Sequence, residues 1–381
     1  MGKIYTALGL MSGTSMDGVD VSIIRSDGET KFSRVFDKFF EYNNDIYNKL
    51  ISIRDKICSY DDLTTFKDQI EMIDRDLTIF QSYAAKKTMD LAKTKIDIVG
   101  FHGQTIYHNL DKKISKQLGN GKLLSQLLKT KVVYNFRQND IKNGGQGAPL
   151  TPIFHSLISN LIFDKYKIKF PIYILNIGGI SNITKLIIKD KFLTGKKILA
   201  CDIGPGNCLI DEWIKKNSDK KFDKDGLTAR MGVTDKLILN YALDNFSNNN
   251  FYEKSLDIKD FDIYFAKGLS LKDGASTITD FTAKLIADGI NFLDKDNLNQ
   301  NKNLIVCGGG RKNLYLLEMI KKYLKKTDIN VIEKYNFDGD YIESQAFAYI
   351  SIRSLKGMPI SFPMTTRVKK PVSGGDIISN F

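Results

Sequence analysis

The amino-acid sequence predicts an α/β protein of two domains that repeat one structural pattern. Its 381 residues are enough for about two domains with sizeable cores, at roughly 100–200 residues per domain. Short apolar segments with the alternation of strands are followed by longer segments with helical spacing. The order three strands, helix, strand, helix occurs in the first half and again in the second, which suggests an internal duplication.

Strand and helix patterns follow one another along the first half of the chain. After the first turn, apolar Val19, Val21 and Ile23 alternate with polar residues, which is the period of a strand. The elements expected here are strands at 5–11, 19–25 and 32–39, a helical stretch at about 45–95 with a break near 59–63, strands at 96–100 and 132–134, and a helix near 152–163.

The second half repeats the pattern. Its expected elements are strands at 172–177, 183–188 and 197–202, helices from about 207 and at 276–293, a strand at 303–307, and helices at about 313–324 and 341–355. We expect a first domain of residues 1–145 together with the C-terminal segment 360–381, and a second domain of residues 146–359.

The turn between the first two expected strands is rich in glycine and hydroxyl side chains. Gly13 and Gly18 permit backbone conformations that other residues avoid, and Thr14 and Ser15 add hydroxyl donors. Successive N–H groups of such a turn can form an anion-binding concavity. An ordinary hairpin turn is the alternative. We favour phosphate binding, because small and turn-forming residues make up most of the segment; NIGGISN (from Asn176) repeats the combination of glycine and hydroxyl in the second half.

Two further glycine-rich segments each follow an expected strand. CDIGPGN (from Cys201) puts the carboxylate of Asp202 at the carboxyl end of a strand, where ligands of open α/β sheets meet catalytic groups. Asp202 is therefore a candidate general base or metal ligand, with a helix cap as the alternative. VCGGG (from Val306) would let a flat ring or a ribose approach the backbone closely. A cleft between duplicated domains would suit a nucleoside triphosphate.

Composition argues against several classes of protein. No apolar run approaches the roughly 18 residues of a membrane span, and the first residues lead directly into a strand, so neither a membrane protein nor a secreted one is expected. The net charge is +12, but the lysines are scattered and accompany no nucleic-acid-binding motif. The four cysteines show no CxxC spacing, which favours reduced cysteines in the cytoplasm over a zinc site.

Ten segments together resemble the anhydro-N-acetylmuramic acid kinase family, and the resemblance covers nearly the full chain. In chain order they are GLMSGTSMDGVDV (from Gly9), GFHGQTIYH (from Gly100), GGQGAPLTP (from Gly144), LNIGGISNIT (from Leu175), CDIGPGNCLIDEW (from Cys201), FDKDG (from Phe222), KSLDIKDF (from Lys254), DGASTITDFTA (from Asp273), CGGGRKN (from Cys307) and IESQAFAY (from Ile342). The chain departs from the family's pattern at Phe251–Glu253, where the family tends to have prolines, and at Ile203, where it tends to have threonine.

The resemblance implies a fold and an activity. The fold would be two duplicated ribonuclease-H-like domains with an interdomain cleft, as in sugar kinases, actin and the heat-shock ATPases. The activity would convert 1,6-anhydro-N-acetylmuramic acid, ATP and water into N-acetylmuramic acid 6-phosphate and ADP, in the recycling of bacterial peptidoglycan. ATP and Mg²⁺ would be the cofactors. The protein would be a cytoplasmic homodimer that binds neither nucleic acid nor a membrane.

The resemblance also implies roles for individual residues. Asp202 matches the family's catalytic aspartate and would be the general base for the attacking water. Glu343 matches a glutamate that would bond the sugar, although a solvated helix carboxylate would look the same. His102, Gln104 and Gln146 would contact the sugar or its lactyl group, and a satisfied turn histidine is the alternative for His102.

The residues expected to bind ATP lie in three glycine-rich segments. They are Gly13, Thr14, Ser15, Met16, Asp17, Gly18, Val19, Asp20, Gly178, Gly179, Gly308, Gly309 and Gly310. The first segment would cradle the phosphates, the second would close over them, and the third would border the adenosine. Asp17 and Asp20 would also help to place Mg²⁺.

Two other functions stay open on the sequence. A nucleotide-binding switch or chaperone-like ATPase would share the architecture, and a plain hexosamine kinase would act on an already open sugar. Asp202 and the GGQGAP segment favour a kinase of a small molecule over the first of these. Measuring ATP turnover with and without the anhydro sugar would separate them, since a chaperone-like protein would ignore the sugar.

Overall fold

The structure of the chain, a computed structural model, describes residues 2–247, 255–294 and 301–381. Its strands are β1 (Tyr5–Met11), β2 (Gly18–Ser26), β3 (Phe32–Glu41), β4 (Ile98–Phe101), β5 (Gln104–Asn109), β6 (Ile114–Leu118), β7 (Lys131–Tyr134), β8 (Ile172–Ile177), β9 (Ile180–Leu186), β10 (Ile198–Pro205), β11 (Lys302–Cys307), β12 (Thr327–Val331) and β13 (Asp376–Ile378). Its α-helices are α1 (Asn44–Lys56), α2 (Asp62–Thr65), α3 (Lys67–Ala92), α4 (Gly121–Leu128), α5 (Phe136–Lys142), α6 (Pro152–Tyr166), α7 (Cys208–Asn217), α8 (Leu227–Arg230), α9 (Lys236–Ser247), α10 (Leu271–Phe292), α11 (Leu314–Tyr323), α12 (Ile342–Leu355) and α13 (Pro363–Thr366).

Local sequence explains where several of these elements begin. Asn43 caps α1, because its side chain accepts a hydrogen bond from the N–H of Ile46 at 2.9 Å. Ser270 caps α10 in the same way. β8 is apolar apart from Asn176 and is buried along its whole length, as expected for a strand in the middle of a covered sheet. None of the helices in the described residues is both long and apolar enough to cross a membrane.

The chain divides into two compact units. Unit 1 comprises Met1–Asn160, Asp190–Lys196 and Tyr341–Phe381, and unit 2 comprises Leu161–Lys189 and Lys197–Asp340. This division differs from the domains expected from the sequence, 1–145 with 360–381 and 146–359. Most of the difference lies in the first part of α6 and in α12, which belong to unit 1, where α12 packs against β1, β2 and β4.

The sheet of unit 1 has the strand order β13-β7-β4-β1-β2-β3. β1, β2 and β3 pair antiparallel, as consecutive strands joined by short turns do. β4 and β7 then run parallel to β1 on its other side. β13, close to the C-terminus, pairs antiparallel with β7 at the edge.

The sheet of unit 2 repeats this arrangement. Its order is β10-β9-β8-β11-β12, with β8, β9 and β10 antiparallel and β11 and β12 parallel to β8. Three antiparallel strands followed by two parallel ones, in the same order, form the ribonuclease-H-like core in each unit. The duplication predicted from the sequence is therefore confirmed, and with it the fold class.

Glycines let α12 lie directly on the sheet of unit 1. A Cβ atom at Gly9 would overlap the carbonyl oxygen of Ser344, and one at Gly100 would overlap that of Phe347. At the other end of the helix, the Arg353 guanidinium donates to the carbonyl of Gly28 at 3.0 Å. β2 is antiparallel to β1, so Gly28, which follows β2, lies near the start of β1, whereas Gly9 lies near its end. The helix therefore runs antiparallel to β1. Its first turn therefore lies at the edge of the sheet where β1 and β4 end.

Replacing Gly9 by alanine is expected to lower the free energy of unfolding by about 1–3 kcal/mol, because an added methyl group has no room against the backbone of α12. Gly2→Ala is the matched control. Its Cβ would lie 3.9 Å from the nearest atom, in Asp27, and a change within about 0.5 kcal/mol is expected. Urea unfolding followed by circular dichroism measures both. Equal midpoints for the two variants would contradict this account of α12 packing.

Candidate active site

The turn after β1 presents donors at the surface of unit 1. Thr14 and Ser15 are exposed, whereas Met16 is 2% exposed and adopts a left-handed backbone conformation with φ of 57°. The N–H of Met16 donates to the carbonyl of Gly13 at 3.2 Å, which closes the turn. Within the described part of the chain, the N–H groups of Gly13, Thr14 and Ser15 donate to no protein acceptor. They are available to an anion.

The two glycines of this turn have different surroundings. A Cβ atom at Gly13 would meet nothing nearer than the Ser15 hydroxyl, at 3.9 Å. A Cβ atom at Gly18 would overlap the ring of Phe39 and the carbonyl of Phe40 in β3. Gly18 is therefore required by packing inside the sheet, and Val19, which follows it, is fully buried in the core. Gly13 is the glycine of the turn that a ligand could approach.

Two carboxylates lie close together in the sequence here, Asp17 at the end of the turn and Asp20 in β2. Asp17 is exposed and accepts a hydrogen bond from the Ser15 hydroxyl at 2.6 Å, and Asp20 is half-buried in β2. Burial raises the pKa of the nearby Tyr42 hydroxyl, and the charges of both aspartates add to that rise. No group of three or more histidine, cysteine, aspartate or glutamate side chains arranged to hold a metal occurs in the described ranges.

Gln104 lies beneath this turn. It is 1% exposed, its side-chain oxygen accepts from the Ser12 hydroxyl at 2.6 Å, and its amide donates to the carbonyl of Gly13 at 3.1 Å. The Tyr42 hydroxyl donates to Ser12 at 3.0 Å and accepts from the amide of Gln81 at 2.7 Å. Gln104, expected at the sugar, thus contacts the segment expected to bind ATP.

His102 follows β4 and uses both ring nitrogens within the protein. Its Nδ1–H donates to the carbonyl of Gly103 at 2.8 Å, and its Nε2 accepts from the guanidinium of Arg137 at 2.9 Å. Burial, together with the smaller effect of the Arg137 charge, lowers the pKa of the imidazole to about 3. The ring is therefore neutral near pH 7. Its geometry is that of a satisfied histidine that shapes the site.

Gln146 lies in the glycine-rich loop after α5. Its N–H donates to the carbonyl of Thr366 at 2.7 Å. The buried carboxylate of Asp140 accepts from the N–H of Gly147 at 2.7 Å and from the Thr366 hydroxyl at 2.6 Å. Arg137 donates to the carbonyl of Gly147 at 3.0 Å, so the loop is tied to His102 as well.

Glu343 lies in the first turn of α12, half-buried, where the partial positive charge of a helix N-terminus favours a carboxylate. One turn further along, Phe347 packs on the ring of His102 with centroids 4.5 Å apart. The structure thus brings Glu343, His102 and the turn at Gly13 to one edge of the unit 1 sheet.

Three glycine-rich segments meet at the corresponding edge of unit 2. The carbonyls of Gly178 and Gly179 accept from the N–H groups of Asn207 and Gly206, each at 2.8 Å. A Cβ atom at Gly206 would overlap the carbonyl of Gly178, so the two turns pack backbone on backbone. The third segment follows β11, which runs parallel to β8.

This third segment, Gly308 to Gly310, packs against the end of β8. Gly308 has a φ of 78°, and a Cβ there would overlap the side chain of Asn176. A Cβ at Gly310 would overlap Ile177. At Gly309 the nearest atom to a Cβ would be the side-chain nitrogen of Asn207, at 3.7 Å. Gly309 is therefore the open position of the segment, as Gly13 is of its turn.

Asp202 lies in β10 at an irregularity of the strand pairing between Asp202 and Gly204. It is 7% exposed. Its Oδ2 accepts from the N–H of Leu256 at 2.9 Å and from the Ser255 hydroxyl at 3.2 Å. These two residues belong to the segment KSLD, of which Lys254 lies outside the described residues, as do Phe251–Glu253. The strand continues to Pro205, so Asp202 lies inside β10 and not at its end as expected, and its buried carboxylate is held in one orientation.

Comparison with known proteins decides the family. Residues 5–380 match the family model described as anhydro-N-acetylmuramic acid kinase. The chain belongs to this family.

Curated relatives of the family match over the full length. The protein named anhydro-N-acetylmuramic acid kinase in Pelagibacter ubique (strain HTCC1062) is 53% identical over 385 residues, covering 100% of both chains. The one in Agrobacterium fabrum is 38% identical, covering 99% of this chain and 100% of its own. The one in Brucella canis is 35% identical, covering 98% of this chain and 99% of its own.

Sequence reasoning missed three charged residues that hold the glycine-rich loops of this family member. Arg137 and Asp140 hold the loop at Gln146, and Arg311 holds the segment at Gly308. Each lies close in sequence to the loop that it holds. A charged residue beside a glycine-rich segment was the available signal, but charge alone does not distinguish it from the many solvated lysines of this chain.

Arg311 is 6% exposed and holds two loops of unit 2 together. Its guanidinium donates to the carbonyl of Gly308 at 3.0 Å, to Glu333 at 2.5 Å and to Asp340 at 2.7 Å. Burial opposes the ionisation of Asp340, but hydrogen bonds from Arg311 and Lys312 outweigh it and hold the pKa of that carboxyl below its usual value.

Arg311→Met is expected to lower the free energy of unfolding by about 1–3 kcal/mol, because the carbonyl of Gly308 and two carboxylates lose a buried donor. A carboxyl with a depressed pKa stabilises the fold above its unfolded pKa of about 3.9 and loses that contribution as pH falls through the folded value. The wild-type protein should therefore lose more stability than the variant does as the pH falls from about 5 to about 3.

Lys312→Met is the matched control. Lys312 also pairs with Asp340, at 2.6 Å, but its side chain is 59% exposed, so a change within about 0.5–1 kcal/mol is expected. Urea unfolding at a series of pH values measures all three proteins. Equal losses for the two variants would show that burial of Arg311 is not what holds these loops.

Proposed function

We propose that this protein hydrolytically opens 1,6-anhydro-N-acetylmuramic acid and phosphorylates O6 with ATP, giving N-acetylmuramic acid 6-phosphate for peptidoglycan recycling. The observation that carries the proposal is Asp202, a buried, oriented carboxylate beside the glycine-rich turns of unit 2, in a chain that belongs to this kinase family. A carboxylate base would also suit an ATPase, which activates water, and a plain hexosamine kinase, which activates a sugar hydroxyl, so membership of the family is what favours the anhydro sugar as substrate.

We assign the ATP phosphates to the turn Gly13 to Asp20 and to Gly178 and Gly179, and the adenosine to the segment Gly308 to Gly310. The N–H groups of Gly13, Thr14 and Ser15, which donate to no acceptor among the described residues, support the first assignment. The open position at Gly309 supports the last, because a ring or ribose can approach backbone that carries no side chain.

Mg²⁺ would be held by Asp17 and Asp20. Mg²⁺ usually takes one or two carboxylates and completes its shell with substrate phosphates and water, so this donor pair fits it. When bound, the ion would neutralise charge on the phosphates during transfer. Asp17, held by the Ser15 hydroxyl at 2.6 Å, would present its carboxylate from the turn itself.

Asp202 would act as the general base. Its bonds from Leu256 and Ser255 fix the carboxylate, which would take a proton from a water molecule as the water's oxygen attacks the anomeric carbon. The bond between C1 and O6 then breaks, and its electron pair stays on O6. O6 attacks the γ-phosphorus of ATP, and ADP leaves. Water supplies the new hydroxyl on C1.

The sugar would be bound chiefly by Glu343 and Gln146. Glu343, at the first turn of α12, would accept hydrogen bonds from sugar hydroxyls. His102 and Gln104 would shape the site from behind, since their polar atoms bond Arg137, Ser12 and Gly13. We also propose, from the resemblance to the family, that the protein is a homodimer in the cytoplasm and has no nucleic-acid partner. Light scattering would measure the oligomeric state.

The first test is ATP turnover with and without the anhydro sugar, in wild-type protein and in Asp202→Asn. Wild-type protein should release ADP only when the sugar is present. The variant should lose roughly 10²–10⁴-fold in kcat with little change in the KM for the sugar, because the amide keeps the shape but cannot take the proton.

Asp219→Asn is the control for that substitution, since Asp219 is an exposed aspartate of the same unit. It should behave as wild type. Turnover that ignores the sugar would favour the chaperone-like alternative. A kcat of Asp202→Asn within about threefold of wild type would make this aspartate structural.

The second test follows the oxygen of the consumed water. In ¹⁸O-water, label should appear on the anomeric hydroxyl and not in the phosphate ester. Cleavage of the bond between C1 and O6 develops oxocarbenium character at C1, where the labelled water adds, and the unlabelled O6 atom becomes the ester oxygen. Early quenching and rapid mass spectrometry limit exchange of the free anomeric hydroxyl. A phosphorylated sugar whose anhydro bridge is intact would refute the coupled mechanism.

A further inference from the structure

The turn expected to bind phosphates stands on a buried chain of hydrogen-bonded side chains drawn from distant parts of unit 1. Gln81 comes from α3, Tyr42 follows β3, Ser12 follows β1 and Gln104 begins β5. The donor–acceptor distances in this hydrogen-bond chain are 2.7 Å from Gln81 to Tyr42, 3.0 Å from Tyr42 to Ser12 and 2.6 Å from Ser12 to Gln104.

The chemistry of the groups fixes the direction of this chain. The amide nitrogen of Gln81 can only donate, so the Tyr42 hydroxyl accepts from it and donates its own hydrogen to Ser12. The Ser12 hydroxyl then has one hydrogen and two acceptors within reach, the side-chain oxygen of Gln104 at 2.6 Å and the carbonyl of Gly18 at 2.9 Å. Gly18 closes the far end of the turn, so Ser12 links both of its ends.

The hydrogen-bond chain sets the direction in which the carbonyl of Gly13, in the first peptide group of the turn, points. The carbonyl of Gly13 accepts from the amide of Gln104 at 3.1 Å and from the N–H of Met16 at 3.2 Å, so it is held toward the protein. Thr14 and Ser15 are exposed, and their N–H groups donate to no acceptor among the described residues. A carbonyl that turned outward would put an acceptor where a phosphate needs donors.

Packing alone does not account for these side chains. Gln81 is fully buried, and Ser12 and Tyr42 are 2% and 5% exposed. The Oε1 of Gln81 has no hydrogen-bond partner among the described residues, and a buried acceptor without a partner is costly. An apolar residue at position 81 would avoid that cost. The nitrogen of Gln81, which bonds Tyr42, is the group that the site gains in return.

We propose that Tyr42 and Gln81 are positioning residues that act through Ser12 to hold the phosphate turn with its N–H groups outward. The inference rests on the proposed assignment of the phosphates to this turn. Neither side chain would touch ATP. Their loss should weaken binding of the phosphates and leave the binding of the adenosine group unchanged.

The test compares ATP-analogue and adenosine binding in Tyr42→Phe by isothermal titration calorimetry. Loss of the Tyr42 hydroxyl, which donates to Ser12 and accepts from Gln81, should raise the Kd of a non-hydrolysable ATP analogue roughly 3–10-fold. The Kd of adenosine and the KM of the sugar should stay within about twofold of wild type, a range set by the usual accuracy of such comparisons. A residue that only stabilises the fold would not separate the two ligands.

Tyr349→Phe is the matched control. Tyr349 is also fully buried in unit 1 with a bonded hydroxyl, but that hydroxyl donates to the carbonyl of Glu29, in the turn after β2. Its removal should change neither Kd. Gln81→Leu is the second variant, and the double variant with Tyr42→Phe should be little worse than either single one, because both interrupt the same chain.

The outcomes separate this inference from the proposed function. Gly13→Val places a side chain at the open position of the turn and should weaken the ATP analogue whatever Tyr42 does. If Gly13→Val weakens the analogue but Tyr42→Phe and Gln81→Leu do not, the positioning role is refuted alone. Equal weakening of the analogue and adenosine in those two variants also refutes it. Unchanged binding in Gly13→Val would refute the assignment of phosphates to this turn.

Discussion

The close approach of helix α12 to the sheet of unit 1 is the constraint on which the rest of that unit depends. The helix can cross the strands only because Gly9 and Gly100 lack side chains where the carbonyls of Ser344 and Phe347 pass. That contact fixes the height and the register of the helix over β1 and β4. Glu343 and the ring of Phe347 thereby lie at the edge of the sheet where the other candidate site residues of unit 1 lie.

Unit 2 reaches its site geometry by a related route, through turns that pack backbone on backbone. Gly206 lies against Gly178, and Gly308 and Gly310 lie against the end of β8. Turns packed this closely have few side chains of their own to hold them, so their stability must come from the residues around them. Arg311 supplies it on one side, and the hydrogen bonds from Leu256 and Ser255 hold Asp202 on the other.

The sequence predicted what depends on local pattern. The limits of β1 and β8 agree with the prediction, and the glycine-rich segments of the second half mark the turns that meet within unit 2. The hairpin of β5 and β6 and the edge strands β12 and β13 were missed, because short edge strands carry no clear alternation. Tyr42 and Gln81 were missed for another reason. Tertiary packing brings them together, and no local pattern in the sequence records that contact.

The charge around the proposed phosphate turn is opposite in sign to that of the whole protein. The protein carries a net charge of +12, yet the segment from Gly9 to Ile24 contains no lysine or arginine and two aspartates. If the phosphates bind there, as proposed, the surplus of basic residues elsewhere does not neutralise them at close range, because exposed charges are screened beyond about 10 Å. Oriented N–H groups offset part of the repulsion from Asp17 and Asp20. A divalent cation bound between them would replace the remaining repulsion by attraction, because both carboxylates and the phosphates would then be its ligands.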